Sequence, residues 1–275
     1  MKIRIKFAKY GTMKFIGHLD LMRYFQKVFR RSGIDIAFTE GMSPHMILSF
    51  AAPLGIGAEG MSEYADIRVG QVLSTEESLE RMNAVCVEGI EFLDFLEIPE
   101  GKEGKAMSLV SAADYAVRFR AGHVPENLFS EAAGWEHVWR TGWDSFLGQS
   151  RILVEKETKK EKKEVDIRPM IYKVSTDLPF PETLEAAQKD LCLRKASGAD
   201  TSEPVFYFRL ATGSAANLKP ELVMEAFARQ AGYRLDPLAV QTTRLELFAQ
   251  GKEGQGADCF VPLSALGKHI PQETA

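Results

Sequence analysis

The first 33 residues, MKIRIKFAKYGTMKFIGHLDLMRYFQKVFRRSG from Met1 to Gly33, contain the pattern that decides the fold. Ile3, Ile5 and Phe7 alternate with charged residues, which predicts a strand with one apolar face. Residues 18–32 then carry apolar side chains at helical spacing and are followed by a glycine suited to a C-cap, so they predict an amphipathic helix. The chain therefore opens with a strand-helix unit.

The pattern continues through the first 100 residues as β-α-β-β-α-β with one short extra strand. Strands are predicted at 47–50, 63–69 and 90–98, and a helix at 75–85. The polar, Gly-rich segment 99–107 predicts a linker, after which a β-α-β-β-β-α-β pattern follows. We therefore expect an α+β protein with two tandem ferredoxin-like (βαββαβ) domains and antiparallel sheets. The predicted domains are 1–105 and 106–251, with a loosely held tail at 252–275.

Two parts of the second half carry particular expectations. Trp135, Trp139 and Trp143 recur at every fourth position of a predicted helix over 126–147, and this stripe is interpreted as helix core. Residues 175–203 are interpreted as a variable polar stretch between strands. The charged segment 159–163 is interpreted as a solvated hairpin tip, and the alternative is a finger that binds phosphate.

Charge is distributed unevenly along a chain whose formal net charge is −4. Residues 1–31, the basic segment, hold nine Lys or Arg and one acid, a net charge of +8. Residues 59–104, the acidic segment, hold twelve acids and three bases, a net charge of −9. A concentrated basic segment points to a polyanionic partner.

Composition and motifs exclude several other classes. No apolar run approaches the length of a membrane span, and the start has no signal-peptide core, so we expect a cytoplasmic protein without membrane contact. The three cysteines (Cys86, Cys192 and Cys259) are far apart, which is typical of reduced thiols. No metal-ligand or iron–sulfur spacing occurs, and residues 55–60 are Gly-rich without a nucleotide fingerprint. We expect no metal and no cofactor on this chain.

The first strand suggests a nucleic-acid interface if one face of its sheet is open. With Ile3, Ile5 and Phe7 facing the helices, the open face would carry Lys2, Arg4 and Lys6 from this strand and Tyr64 and Arg68 from the strand at 63–69. Cations and an aromatic ring are the groups that bind phosphates and unstacked bases of single-stranded RNA. The alternative is that Asp66 pairs with these cations on a solvated sheet.

The first helix adds a second set of cations, Arg23, Lys27, Arg30 and Arg31. The first three lie at i, i+4 and i+7 on its polar side, and the last two are near its C-terminus, where cations favour the helix dipole in any case. These cations are interpreted either as solvent-exposed side chains without a specific partner or, together with the strand cations, as an RNA-binding surface.

His18 and His45 are the candidates for acid–base chemistry. His18 lies at the start of the first helix, where the helix dipole favours the neutral imidazole, and His45 lies in a loop with Ser43 and Pro44. Two converging histidines could cleave RNA by general acid–base catalysis. The alternative is that both make structural hydrogen bonds, and no His-x-Thr or His-x-Ser pair occurs to favour a two-histidine phosphoesterase.

Six strings together resemble the radical-SAM-linked family, a bacterial domain-of-unknown-function family. They are KFIGHLDLMR at Lys14–Arg23, GMSPH at Gly41–His45, LSFAAPLG at Leu48–Gly55, EYAD at Glu63–Asp66, VDIRP at Val165–Pro169 and NLKPEL at Asn217–Leu222. The family commonly has a second Pro and a basic residue after the Pro-His pair, whereas Met46 and Ile47 follow here, so anion binding by this loop is in doubt. The tandem pattern is also similar to CRISPR repeat-processing endonucleases, by topology alone.

The resemblance implies a cytoplasmic partner of a radical SAM protein with a cobalamin-binding-like region. Three hypotheses follow. The first is a non-catalytic accessory protein that binds RNA, tRNA or rRNA, through its basic N-terminal face. The second is a metal-independent RNA-processing or RNA-modifying enzyme that uses His18 and His45. The third is a protein-interaction scaffold that docks the radical SAM partner through the acidic segment.

Overall fold

The computed structural model describes ten ranges of the chain. These residues form two compact units. The first unit comprises Met1–Ala113, Thr212–Ala215 and Arg244–Ala275, and the second comprises Asp114–Ala211 and Ala216–Thr243. The described residues are 1–101, 104–123, 142–157, 162–176, 178–199, 201, 205–232, 234–236, 238–251 and 259–272. The domain boundaries expected from the sequence stay a prediction.

The fold is α+β, and its strand pairs are mostly antiparallel. In the first unit the elements are β1 (Lys2–Lys9), α1 (His18–Ser32), β2 (Leu48–Phe50), β3 (Glu59–Arg68), α2 (Thr75–Asn83), β4 (Ile90–Ile98), α3 (Ala106–Leu109), the start of β5 (Val110–Phe119), most of β10 (Val240–Gln250), β11 (Phe260–Pro262) and β12 (Lys268–His269). Strands hydrogen-bond in the order β12-β4-β1-β3-β10, with β2 also on β3 and β11 on β10. The expected strand-helix start is confirmed.

The core of the first unit forms where α1 packs on the apolar side of β1. Phe7, Phe25 and Phe50 meet as edge-to-face or tilted rings whose centroids lie 4.8–5.8 Å apart, an arrangement that aromatic quadrupoles favour. The helix ends at Gly33, which adopts the left-handed conformation with φ 73°. A glycine there closes the last turn without the steric penalty of a Cβ atom.

The C-terminal segment is held more firmly than the sequence suggested. Lys268 and His269 form β12, which pairs antiparallel with β4, and Leu263 is fully buried in a short 3₁₀ helix. The backbone N–H of Ile270 also donates to the hydroxyl of Thr75 on α2. The interpretation of residues 259–272 as a loose tail is therefore wrong, because a few apolar and backbone contacts anchor them despite their Gly/Pro-rich composition.

The second unit contains the rest of β5, the hairpin β6 (Leu153–Glu157) and β7 (Lys162–Asp166), β8 (Ile171–Ser175), α4 (Leu184–Ala196), β9 (Val205–Ala211), α5 (Pro220–Gln230) and the start of β10. Its strand order is β10-β5-β9-β8. Trp143, in the helical residues 142–147, stacks on Phe227 of α5 at 4.0 Å, so its core role is confirmed. Trp135, Trp139 and segment 159–161 lie outside the described residues.

Helix α4 was missed by the sequence analysis, which expected a variable polar stretch at 175–203. Its buried positions include Asp190 and Arg194 beside Ala187, so the helix has no apolar stripe that a periodicity search could find. Asp190 contacts Arg118 of β5, with 3.4 Å between Oδ2 and Nη1. The helix therefore packs through buried polar groups, whose pairing is visible only in three dimensions.

Candidate functional site

Arg4 lies inside the first unit and is fully buried, although the sequence predicted it on an open sheet face. Its guanidinium grips the carboxylate of Asp66, with Nε–Oδ1 at 2.9 Å and Nη2–Oδ2 at 3.3 Å. It also donates to the carbonyl oxygens of Leu263 and Gly104. A buried charge needs such partners, so the guanidinium of Arg4 has a structural role and is not accessible to a phosphate group.

Tyr64 and Lys6 share a second buried cluster on the same side of β1 and β3. Tyr64 is 1% exposed, and burial, followed by the charge of Glu246, raises the pKa of its hydroxyl well above the ordinary value. Lys6 pairs with Glu246 at 3.0 Å. Burial raises the pKa of Glu246, against the opposing influence of Lys6. The prediction that Tyr64 lies open for base stacking is wrong, because its side chain is buried, with Lys6 over the ring and Glu246 and Ser264 near the hydroxyl.

The remaining strand cations, Lys2 and Arg68, are bound near the end of the acidic segment. The Lys2 ammonium donates to the carbonyl oxygens of Glu100 and Gly101, the latter at 2.8 Å. Arg68 pairs with the Glu100 carboxylate at 2.8 Å. Within the first unit the acidic segment thus neutralises part of the basic segment, since Asp66 pairs with Arg4 and Glu59 with Lys14. The alternative weighed from the sequence, in which Asp66 pairs with a strand cation, holds for Arg4, although that pair is buried rather than solvated.

The cations of α1 stay on the surface. The set Arg23, Lys27, Arg30 and Arg31, here named the helix stripe, is exposed throughout. Arg23 pairs with Asp20 at 3.2 Å, but both side chains are more than 60% exposed and such pairs contribute little. In the part of the chain that the structure describes, Lys27, Arg30 and Arg31 form no ion pair. The helix stripe is therefore available to an anion.

An exposed aromatic ring lies in the short segment that precedes α1. Phe15 is 60% exposed, in the 3₁₀ helix Gly11–Phe15 that precedes α1. The ammonium of Lys14 lies 5.5 Å from the centroid of this ring and 3.2 Å from Oε1 of Glu59. Phe15 is not predicted from the sequence, because an isolated aromatic residue in a loop gives no signal until its exposure is known.

His18 and His45 have different surroundings. His18 is half-buried at the start of α1, with its ring edge-to-face on Phe50 at 5.2 Å. His45 is exposed, and its Nδ1 lies 3.1 Å from the hydroxyl of Thr39. His18 lines a small cavity of the first unit, and His45 is not among the residues that line it.

The cavity beside His18 is bordered by a buried ionic network. Lys9 is 1% exposed, and its ammonium donates to the carbonyl oxygens of Lys14 and Ile16, at 3.4 and 3.5 Å. Glu63 grips Arg244, with Nε–Oε1 at 2.7 Å. Burial lowers the pKa of Lys9, Glu63 opposes this effect, and Arg244 adds to it. The cavity volume is about 10 Å³, roughly the space of one water molecule, so it admits no substrate in this conformation.

The described residues lack the features of a metal site, a membrane span or a disulfide bond. No group of three or more His, Cys, Asp or Glu residues there could hold a metal ion. None of the helices described is long and apolar enough to span a bilayer. The three cysteines are free thiols.

The protein thus has an α+β fold, and internal ion pairs neutralise part of the charge of its basic segment. A family model described as "Uncharacterized protein conserved in bacteria (DUF2344)" matches residues 2–220. The chain belongs to this family. A search of curated proteins returns no significant match.

Proposed function

We propose that this protein binds single-stranded RNA through the helix stripe and Phe15, as an accessory protein of a radical SAM enzyme. The observation that carries the proposal is the contrast between two sets of cations. Those of β1 and β3 are paired or buried, whereas Lys27, Arg30 and Arg31 are exposed and form no ion pair within the described residues. Exposed cations on a helix, together with an exposed ring in the turn before it, can hold a phosphate backbone and a stacked base.

The magnitude of the electrostatic part follows from counterion release. Four phosphate contacts by the helix stripe give a salt slope of about −2.8 for a single strand, which is about a 50-fold loss of affinity between 50 and 200 mM salt. Alanine in place of Phe15 is expected to remove a stacking contribution of about 1–3 kcal/mol. Both values are large enough to measure.

The test is a fluorescence-anisotropy titration of labelled single-stranded RNA at 50 and 200 mM salt. The variant R23E/K27E is expected to weaken binding strongly and to lower the salt slope to about −1.4. The matched control is K105E/K268E, which makes the same charge change at exposed lysines outside α1. Absence of RNA binding at 50 mM salt, or equal losses in the two variants, contradicts the proposal.

The role beside a radical SAM protein rests on the resemblance of the six motif strings. This resemblance implies a partner with a cobalamin-binding-like region and a cytoplasmic location, and we expect no cofactor on this chain. Purification of the complex followed by sequencing of bound RNA tests both parts together. Co-purification without RNA favours the scaffold hypothesis, in which the acidic segment docks the partner.

The finer fold proposal is that both halves are ferredoxin-like domains. The order β4-β1-β3-β2 with antiparallel neighbours supports it for the first unit, because a βαββαβ chain with right-handed crossovers pairs its strands this way. The order β10-β5-β9-β8 of the second unit gives less support, since β10 is shared with the first unit.

A second candidate function is RNA processing or modification by His18 and His45. His18 borders the small cavity together with Lys9 and Glu63, so this proposal requires the cavity to open before RNA can reach the imidazole. The test is incubation of labelled RNA with wild type, H18A and H45A. Cleavage that either substitution abolishes supports catalysis, and unchanged RNA with the wild type excludes this activity on the substrates tested.

A further inference from the structure

The first unit contains a second, larger cavity of about 190 Å³ near the C-terminal end of α1. Its inner lining is apolar and buried, with Ile34, Val69 and Phe95 among the residues. Its outer lining is polar and exposed, with Asp35 and Arg81. Sites for drug-sized ligands measure about 300–1,000 Å³, so this cavity suits one ring system rather than a whole nucleotide.

Ser78 supplies a hydroxyl that nothing in the described fold satisfies. It lies on α2, lines the cavity and is fully buried, and its Oγ atom has no hydrogen-bond partner. Buried hydroxyls are nearly always paired, so an unpaired one beside a cavity offers a hydrogen bond to a molecule that enters it. This hydroxyl can either donate or accept a hydrogen bond.

Asp35 is held in place at the outer lining by its own hydrogen bond. Its Oδ2 atom accepts from the backbone N–H of Gln71 at 2.8 Å, and a Cβ atom at Gly70 would lie 2.5 Å from that oxygen. The carboxylate can approach the turn because residue 70 has no side chain. Within the described residues Oδ1 has no partner, so the carboxylate can accept further hydrogen bonds.

Arg81 provides the opposite charge. Its Nη2 atom donates to Glu77, one turn earlier on α2, and its Nη1 atom faces Gly33, where a Cβ atom would lie 3.8 Å away. In the described part of the chain Nη1 donates no hydrogen bond. At this cavity Arg81 therefore offers hydrogen-bond donors and Asp35 offers hydrogen-bond acceptors.

We propose that this cavity binds a guanine base. The donors N1–H and N2–H₂ of guanine match the carboxylate of Asp35. The acceptors O6 and N7 on the next edge match the guanidinium of Arg81 and the hydroxyl of Ser78. Uracil lacks the amino donor, and adenine lacks the paired N–H groups. The buried ring of Phe95 and the apolar side chains beside it form the inner surface against which the base lies.

The inference deepens the proposed function and rests on it where the guanine belongs to RNA. Gly33 lines the cavity and follows directly after the end of the helix stripe, so Arg30 and Arg31 are placed to meet the phosphates of a strand whose base enters the cavity. A free guanine nucleotide has the same base chemistry, and the experiment separates the two sources.

The first arm of the test is calorimetric titration of the full chain with GMP, AMP, CMP, UMP and inorganic phosphate. GMP is expected to bind at least tenfold more tightly than UMP, and phosphate alone much more weakly. D35N keeps the acceptor for Gln71 but loses the charge, and it is expected to weaken GMP binding about tenfold. S78A is expected to weaken it by about threefold to tenfold. E40Q, at an exposed acid of the next loop, is the control and should bind as the wild type does.

The second arm compares an all-uridine oligonucleotide with one containing a single guanosine. Tighter binding of the guanosine oligonucleotide that D35N abolishes assigns the site to RNA, and GMP binding without such a preference assigns it to the free nucleotide. Equal affinity for GMP and UMP, or full GMP affinity in both D35N and S78A, overturns the inference. In that case RNA binding that still depends on Arg23 and Lys27 leaves the proposed function standing.

Discussion

Removal of one partner from the buried pair of Glu63 and Arg244 is expected to destabilise the first unit strongly. The two residues are 181 positions apart, each side chain is 4% exposed, and Arg244 also donates to the carbonyl oxygen of Ala52 at 2.9 Å. Glu63→Gln leaves the guanidinium buried without its counter-charge. Such a change costs about 3–5 kcal/mol, and the melting temperature should fall by roughly 8–16 °C for a unit of this size.

The assay is urea unfolding of the wild type, E63Q, R244M and the double variant, analysed as a double-mutant cycle. The double variant removes both charges of the pair, so it should be less destabilised than the sum of the single variants by at least about 1.5 kcal/mol. A loss below about 1 kcal/mol in E63Q, or additive single losses, would refute the reasoning. D20N, which breaks only the exposed pair with Arg23, is the control and should change stability by less than about 0.5 kcal/mol.

Three further predictions concern the pH dependence, the helix end and the second unit. Burial lowers the pKa of Lys9 in the folded protein. At pH values between this lowered pKa and the ordinary pKa of lysine, the unfolded chain binds more protons than the folded one, so stability should rise with pH. Unfolding curves at several alkaline pH values should show the rise in the wild type and not in K9M. Gly33→Ala should cost about 1 kcal/mol because φ is +73°, whereas Gly55→Ala should have almost no effect, since its φ is not positive and its Cβ position is open; thermal melts compare the two. Trp143→Ala should cost about 3–5 kcal/mol, by loss of its stacking on Phe227, in unfolding followed by circular dichroism, and an unchanged midpoint would contradict this.

The fold of the first unit could be predicted largely from local patterns. Alternation in β1, helical spacing in α1 and the glycine at position 33 each reflect short-range physics, and the structure confirms them. Helix α4 could not be predicted in the same way, because Asp190 and Arg194 occupy its buried face and hide its period.

The candidate site was predicted only in part. The exposure of Arg23 and Lys27 follows from their positions on the polar side of a helix, and the sequence analysis included both. Phe15 was missed, since its importance depends on exposure. The cavity that Ser78 lines was missed as well, because its lining comes from segments between residues 33 and 95 that no motif connects.

The amino-acid sequence alone determined the strand-helix start, the amphipathic α1 and the uneven distribution of charge, because each depends on neighbouring residues or on simple sums. Only the tertiary structure decided which cations are available to a ligand. Asp66 and Glu246 reach Arg4 and Lys6 from distant positions in the chain. Long-range pairing of this kind removes charge from the surface, and the net charge of a segment contains no information about it.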